Sequence, residues 1–269
     1  MPNPEEQTEL ASLDERLSFE ELIANLSAKF VNLPANKVDQ EIEEAQHRVC
    51  EHLGLDLSAL WQLEKVDSEV LTLTHLYRPL GGPALPSRME ALEYVPWCLQ
   101  QLASGNLISL RSTEDVPAEA ARDQEMWRYY GIRSVLCFPL GIGGGPLIGA
   151  VSFHTVKAER DWPEPLVRRL ELVAEVFANA LARKQSEERL TESETRLALA
   201  ADSADAGLWS LDVDSDQFWA TPKARLLFHF EPDIEITRER FLQVVHPEDR
   251  ERIWQLVEDS VGERKEILA

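Results

Sequence analysis

The sequence predicts an α+β protein: an antiparallel sheet flanked by helices, a long connecting helix, and a second, smaller α/β unit. Three observations carry this. Strand-like and helix-like apolar patterns alternate in the order helices, strands, helix, short strand, helix, hairpin, helix. From Trp162 to about Ala201 no glycine occurs, and no proline follows Pro165. Beyond Gly207 a strand pattern begins again.

Residues 1–17 are polar and acidic and read as a flexible lead-in. Phe19, Leu22, Ile23, Leu26 and Phe30 form an amphipathic helix, with Ser18 and Glu21 as a capping box and Pro34 as its stop. A second helix runs from Val38 to Leu53 and ends at Gly54, a natural position for a left-handed residue. Leu55 to Leu63 alternates with period two, the pattern of a half-buried strand, and Val70 to Tyr77 is a second strand. The Pro79 to Pro86 stretch is loop. Pro96 opens a helix that ends at Gly105, Leu107 to Leu110 is a short strand, and Ala118 to Tyr130 is a helix closed by Gly131. Arg133 to Leu140 and Leu147 to Thr155 are apolar on both faces, as central strands are, and flank a turn of glycines, Gly141 to Pro146.

The long helix follows, with Pro163 and Pro165 in its first turn beside Asp161 and Glu164. Leu166, Leu170, Val173, Phe177 and Ala180 recur at alternating four- and three-residue spacing, a seam for a partner helix. Past Arg183 only Leu190, Leu197 and Ala201 continue it. At about 1.5 Å per residue the run is a rod of roughly 57 Å. Strands at 207–213 and 217–220, then helices at 222–228, 238–245 and 247–261, complete the reading. Two strands are too few for an independently stable sheet, so the second unit reads as incomplete.

The formal charge of -21, from 48 acids against 27 bases, argues against nucleic acid or an anionic membrane as partner. Three cysteines in apolar surroundings suit reduced thiols, and no run approaches the ~18 apolar residues of a membrane span. These features predict a cytoplasmic protein.

The candidate chemical motifs reduce to structural readings. The glycine turn is followed by a strand, where a phosphate-binding loop needs a helix. Glu90-Ala91-Leu92 is a chance tripeptide. His47, Cys50 and His52 share one helix without further zinc ligands, so no metal site is expected. His246-Pro247-Glu248-Asp249 is a helix start. Cys98 and Cys137 read as buried and inert, and no catalytic residue is assigned.

Pro96 to Gly105, Gly131 to Leu140 and Leu147 to Phe153 together resemble the GAF domains of bacterial signalling proteins, covering residues 18–185. Ala206-Gly207-Leu208-Trp209-Ser210-Leu211-Asp212 and His246 to Arg250 resemble the amino-terminal half of a PAS domain, covering residues 203–269. The run 163–202, with Glu187-Glu188-Arg189-Leu190 and Glu194-Thr195-Arg196-Leu197, is similar to the linker that enters such domains. These resemblances imply a non-catalytic sensory input module, dimeric through its helix, feeding an output domain such as a sensor histidine kinase. In a GAF fold Trp97, Trp127, Tyr130 and His154 are candidates to line a cavity for an unidentified small ligand. In the PAS-like part Trp209, Phe218 and Phe228 are the candidates. No cofactor is assigned: bilin attachment wants a cysteine with a neighbouring histidine, and a flavin adduct a cysteine after residue 200. A ligand-free dimerisation scaffold and a free methionine sulfoxide reductase are the alternatives.

Overall fold

A computed structural model describes residues 4–65, 69–143, 145–203, 206–212, 217–231, 234–253 and 255. The chain divides into two compact units, Met1–Glu188 and Arg189–Ala269.

The first unit opens with helices α1 (Pro4–Val31) and α2 (Val38–Leu53), separated by a 3-10 turn at Ala35–Lys37. α1 starts at Pro4, so Ser18 lies inside a helix and not at its start; the expected lead-in of residues 1–17 is helical from residue 4. α2 ends as expected: Gly54 has φ 61°, and its N–H and that of Leu55 close the last turn. Strands β1 (Leu57–Leu63) and β2 (Val70–Tyr77) follow, then β3 (Arg88–Glu90) and a single turn of helix α3 (Ala91–Tyr94). Helix α4 (Pro96–Ala103), strand β4 (Ile108–Leu110) and helix α5 (Ala121–Tyr129) lead to the hairpin β5 (Ser134–Leu140) and β6 (Gly149–Thr155).

The six strands form one antiparallel sheet in the order β3-β2-β1-β6-β5-β4. β1 was expected to be half-buried, but it lies between β2 and β6 and its first five residues are buried. Alternation along β5 separates two cores. Leu136, Phe138 and Leu140 face the back of the sheet with α1, α2 and helix α6 (Glu164–Ser203); Val135 and Cys137 face the front with α4 and α5. At Gly149 a Cβ would lie 2.2 Å from the Trp61 carbonyl oxygen, so glycine is what lets β6 close on β1.

α6 is one uninterrupted helix of 40 residues. Its apolar seam meets its own chain. Leu170, Val173, Phe177 and Ala180 are at most 3% exposed within the back core, and Leu166 packs against them. Phe30 of α1 tilts against Phe177 at 5.8 Å between ring centres. The proposed dimer residues Leu166, Leu170, Val173, Phe177 and Ala180 are therefore occupied intramolecularly, because a heptad-spaced face suits any helix and α1 and α2 supply it. At the end of this packed part the Arg183 guanidinium donates to the carbonyls of Phe30, Val31 and Leu33, at 3.0, 2.8 and 2.8 Å, capping α1.

In the second unit β7 (Trp209–Asp212) pairs antiparallel with β8 (Gln217–Ala220). α7 (Pro222–Leu227) and α8 (Arg238–Val244) follow, each capped by a threonine, Thr221 and Thr237. Residues 247–249 form a turn where the sequence predicts the start of a helix, 250–253 and 255 are helical, and 254 and 256–261 of the expected 247–261 helix lie outside the described residues. Trp209 stacks on Phe218 with ring centres 5.5 Å apart, and Phe241 fills the space against Trp209, Phe218 and Phe228 at 5.1, 5.0 and 5.5 Å. These three aromatic residues, expected as pocket lining, pack as core because Phe241 occupies the space between them.

Candidate functional site

The front of the sheet and the helices above it enclose an apolar cavity of about 90 Å³. Because strand side chains alternate, Leu57, Ala59 and Trp61 of β1 and Ala150, Ser152 and His154 of β6 form its floor. Met89 and Val95 close one side, and Cys98, Met126, Trp127 and Tyr130 form the roof. The roof is held by a buried carboxylate. Asp123 of α5 accepts from the backbone N–H of Trp97 at 3.2 Å and of Cys98 at 2.8 Å, capping the start of α4. Burial pushes the Asp123 carboxyl up, and the N–H groups of Cys98 and Trp97 work against that shift.

Among the described residues no Lys, Arg, Asp or Glu lines the cavity. Its polar groups are few. His154 Nε2 lies 2.8 Å from Ser152 Oγ, which in turn donates to the Ala59 carbonyl at 3.2 Å. Burial lowers the His154 pKa to about 3, so the ring is neutral at physiological pH. Burial raises the Cys137 thiol to about 12, and it raises the Cys98 thiol well above its ordinary value. Neither is a thiolate near pH 7, and the thiolate is the nucleophilic form. The site offers shape, apolar contact and a neutral imidazole. It offers no ion and no activated nucleophile.

Of the expected lining residues, the structure brings Trp127, Tyr130 and His154 to the cavity. Trp97 is excluded: it sits in the first turn of α4 and packs half-buried beside the front core. Trp61, Met89, Met126, Cys98 and Cys137 line the cavity without having been singled out for it. Period two alone places Trp61 with Leu57 and Ala59, so that signal was present. Cys137 and His154 have no such neighbours in sequence yet share this cavity, because Cys137 pairs with Ser152 across the β5–β6 ladder. Of the helical trio, His52 stacks on Phe19 at 5.2 Å, His47 meets Glu51, and Cys50 is buried. No cluster of three or more metal-ligating side chains occurs among the described residues.

A six-stranded antiparallel sheet with a helical layer on each face, and a small cavity under one layer, defines a layered α+β class of domain. The sequence model of the GAF domain family matches residues 38–182, more than half the chain, and the chain belongs to that family. A search of curated protein sequences finds no match. Among solved structures, the phycocyanobilin-bound GAF domain of a cyanobacterial phytochrome is 15% identical, covering 63% of this chain and 96% of its own, with a TM-score of 0.52. The phycoerythrobilin-bound GAF domain of a cyanobacterial phytochrome is 14% identical, covering 63% and 97%, with a TM-score of 0.51. At these identities the likeness is one of fold. Among the described residues no helix is long and apolar enough to cross a membrane.

Proposed function

We propose that this chain is an input module of a signalling protein, whose GAF domain binds a small, uncharged, largely apolar ligand in the cavity beneath α4 and α5. The observation that carries this reading is a cavity lined by apolar side chains, a neutral histidine and no charged group. An anion entering it would lose its hydration and find no cation. Bilins, which the two phytochrome domains hold, do not fit: a linear tetrapyrrole carries carboxylates, and about 90 Å³ is smaller than the ~150 Å³ that admits benzene. The raised thiols argue against a sulfoxide reductase, and no enzymatic activity is assigned.

In this proposal residues 203–269 are PAS-like, and the module works as a cytoplasmic homodimer for an output domain such as a histidine kinase. Any helix pairing falls beyond Glu188, where Leu190 and Leu197 are 62% and 60% exposed. Ligand occupancy shifts α4 and α5, and α6 passes the change on as a two-state bias. Thermal shift of the full chain against neutral metabolites, carboxylates and nucleotides tests it, since a ligand of the folded state raises Tm by mass action. Stabilisation by neutral compounds supports the reading. Firm dimerisation with no stabilising compound favours the scaffold alternative, which the small cavity volume speaks for.

A further inference from the structure

The helical layer on the back of the sheet leaves one strip open. Between α6 and the β5–β4 edge of the sheet lies a groove of about 380 Å³. Phe138, Ala174 and Ala178 form its floor, and Leu107 and Ile142 form its far wall, 38% and 47% exposed. Glu171 and Glu175 form the near rim, one helical turn apart. Among the described residues no basic side chain lines the groove. The nearest arginines on the helix, Arg168 and Arg169, pair with Glu164 and Glu20 instead.

We propose that this groove docks an amphipathic helix of a partner protein, apolar on one side and carrying lysine or arginine over Glu171 and Glu175. Three features select that occupant. Ala174 and Ala178, one turn apart at the groove floor, have small side chains, so a second helix can approach α6 at the short end of the usual 8–10 Å axial spacing. Leu107 and Ile142, both exposed, supply apolar contact, as in helix-in-groove recognition. The two rim carboxylates attract a basic stripe and repel an acidic one. A second copy of this chain, with a formal charge of -21, is a poor match to that rim, and so is an anionic membrane.

The test is calorimetric titration of the full chain with a designed amphipathic helix, leucine on one face and lysine on the other. Binding is expected, and a version with glutamate in place of lysine should not bind. The double variant Glu171→Lys/Glu175→Lys should weaken binding by about tenfold or more, and Ile142→Asp, which removes apolar contact at an exposed turn, by a similar factor. Glu93→Lys/Glu119→Lys, with the same charge change at exposed sites on the opposite side of the sheet, should change it less than about twofold. Equal loss in the two double variants would show attraction by net charge and overturn the proposal. So would no binding, or a change in oligomeric state caused by Glu171→Lys/Glu175→Lys, which would give the groove to a second copy.

Discussion

Asp123 Oδ1 accepts a hydrogen bond from the Cys98 backbone N–H at 2.8 Å, joining two helices of the cavity roof through one fully buried carboxylate. α4 begins with Pro96 and has no side-chain cap of its own, so the cap comes from 25 residues further along the chain. Asp123→Ala leaves two N–H groups without a partner and should cost about 2–3 kcal/mol in urea unfolding. Asp123→Asn keeps an acceptor and should cost about half as much. An alanine variant as stable as the parent would show that the roof is not held this way.

Arg183 joins the far end of the packed part of α6 to α1 by donating to three carbonyls. Arg183→Met keeps the aliphatic stem and removes all three bonds. Stability should fall by about 1.5–3 kcal/mol, with faster amide exchange over residues 178–188 than in the parent. Unchanged exchange there would mean that the apolar seam alone fixes the helix.

The stability of the first unit should depend on His154 protonation. Its pKa is about 3 in the fold against 6.5 for the free side chain. Between those values the unfolded chain binds a proton that the folded chain does not, so stability present above about pH 6.5 is lost as pH falls, by up to about 1.4 kcal/mol per pH unit. His75, lowered by burial against the opposing charges of Asp39 and Glu43, acts in the same direction. His154→Phe should flatten the slope measured by urea unfolding between pH 6.5 and 5. A slope identical to the parent's would contradict the neutral buried ring.

Gly149→Ala should be among the most damaging substitutions in the sheet, because the added methyl meets the Trp61 carbonyl oxygen at 2.2 Å. A loss of more than about 3 kcal/mol, or failure to fold, is expected from thermal or urea unfolding. A variant of near-parental stability would mean that β1 and β6 separate more easily than their ladder suggests.

The sequence made the large elements legible and left the small ones hidden. α2 and α6 carry long periodic patterns, β2, β5 and β6 carry long strand-like apolar runs, and all five sit where those patterns place them. β3 and α3, at three and four residues, are too short to show a period. The first half of α1 shows no helical signature because residues 5–17 are mostly polar and acidic, with only Leu10, Ala11, Leu13 and Leu17 to mark a face. The α6 seam shows why spacing identifies a face but not its partner: the same period serves a second copy or a neighbouring helix. At the site, Trp127, Tyr130 and His154 were readable from element and residue type. Cys98, Met89 and Met126 reach the cavity through the packing of short elements over the sheet, which no local pattern encodes. Trp97 failed for a related reason: in the first turn of α4, Cys98 and not Trp97 faces inward.

The most direct test of the ligand reading uses the methionine methyl groups. The chain has three methionines, and two of them, Met89 and Met126, line the cavity. With ¹³C-methyl-labelled methionine in the full chain, xenon or ethanol, small enough for about 90 Å³, should shift the Met89 and Met126 signals saturably, and acetate should not. Ala150→Leu, which fills the cavity floor, should abolish the shifts. Acetate shifting both signals as strongly as ethanol, or neither xenon nor ethanol shifting them at all, would contradict an uncharged ligand in this cavity.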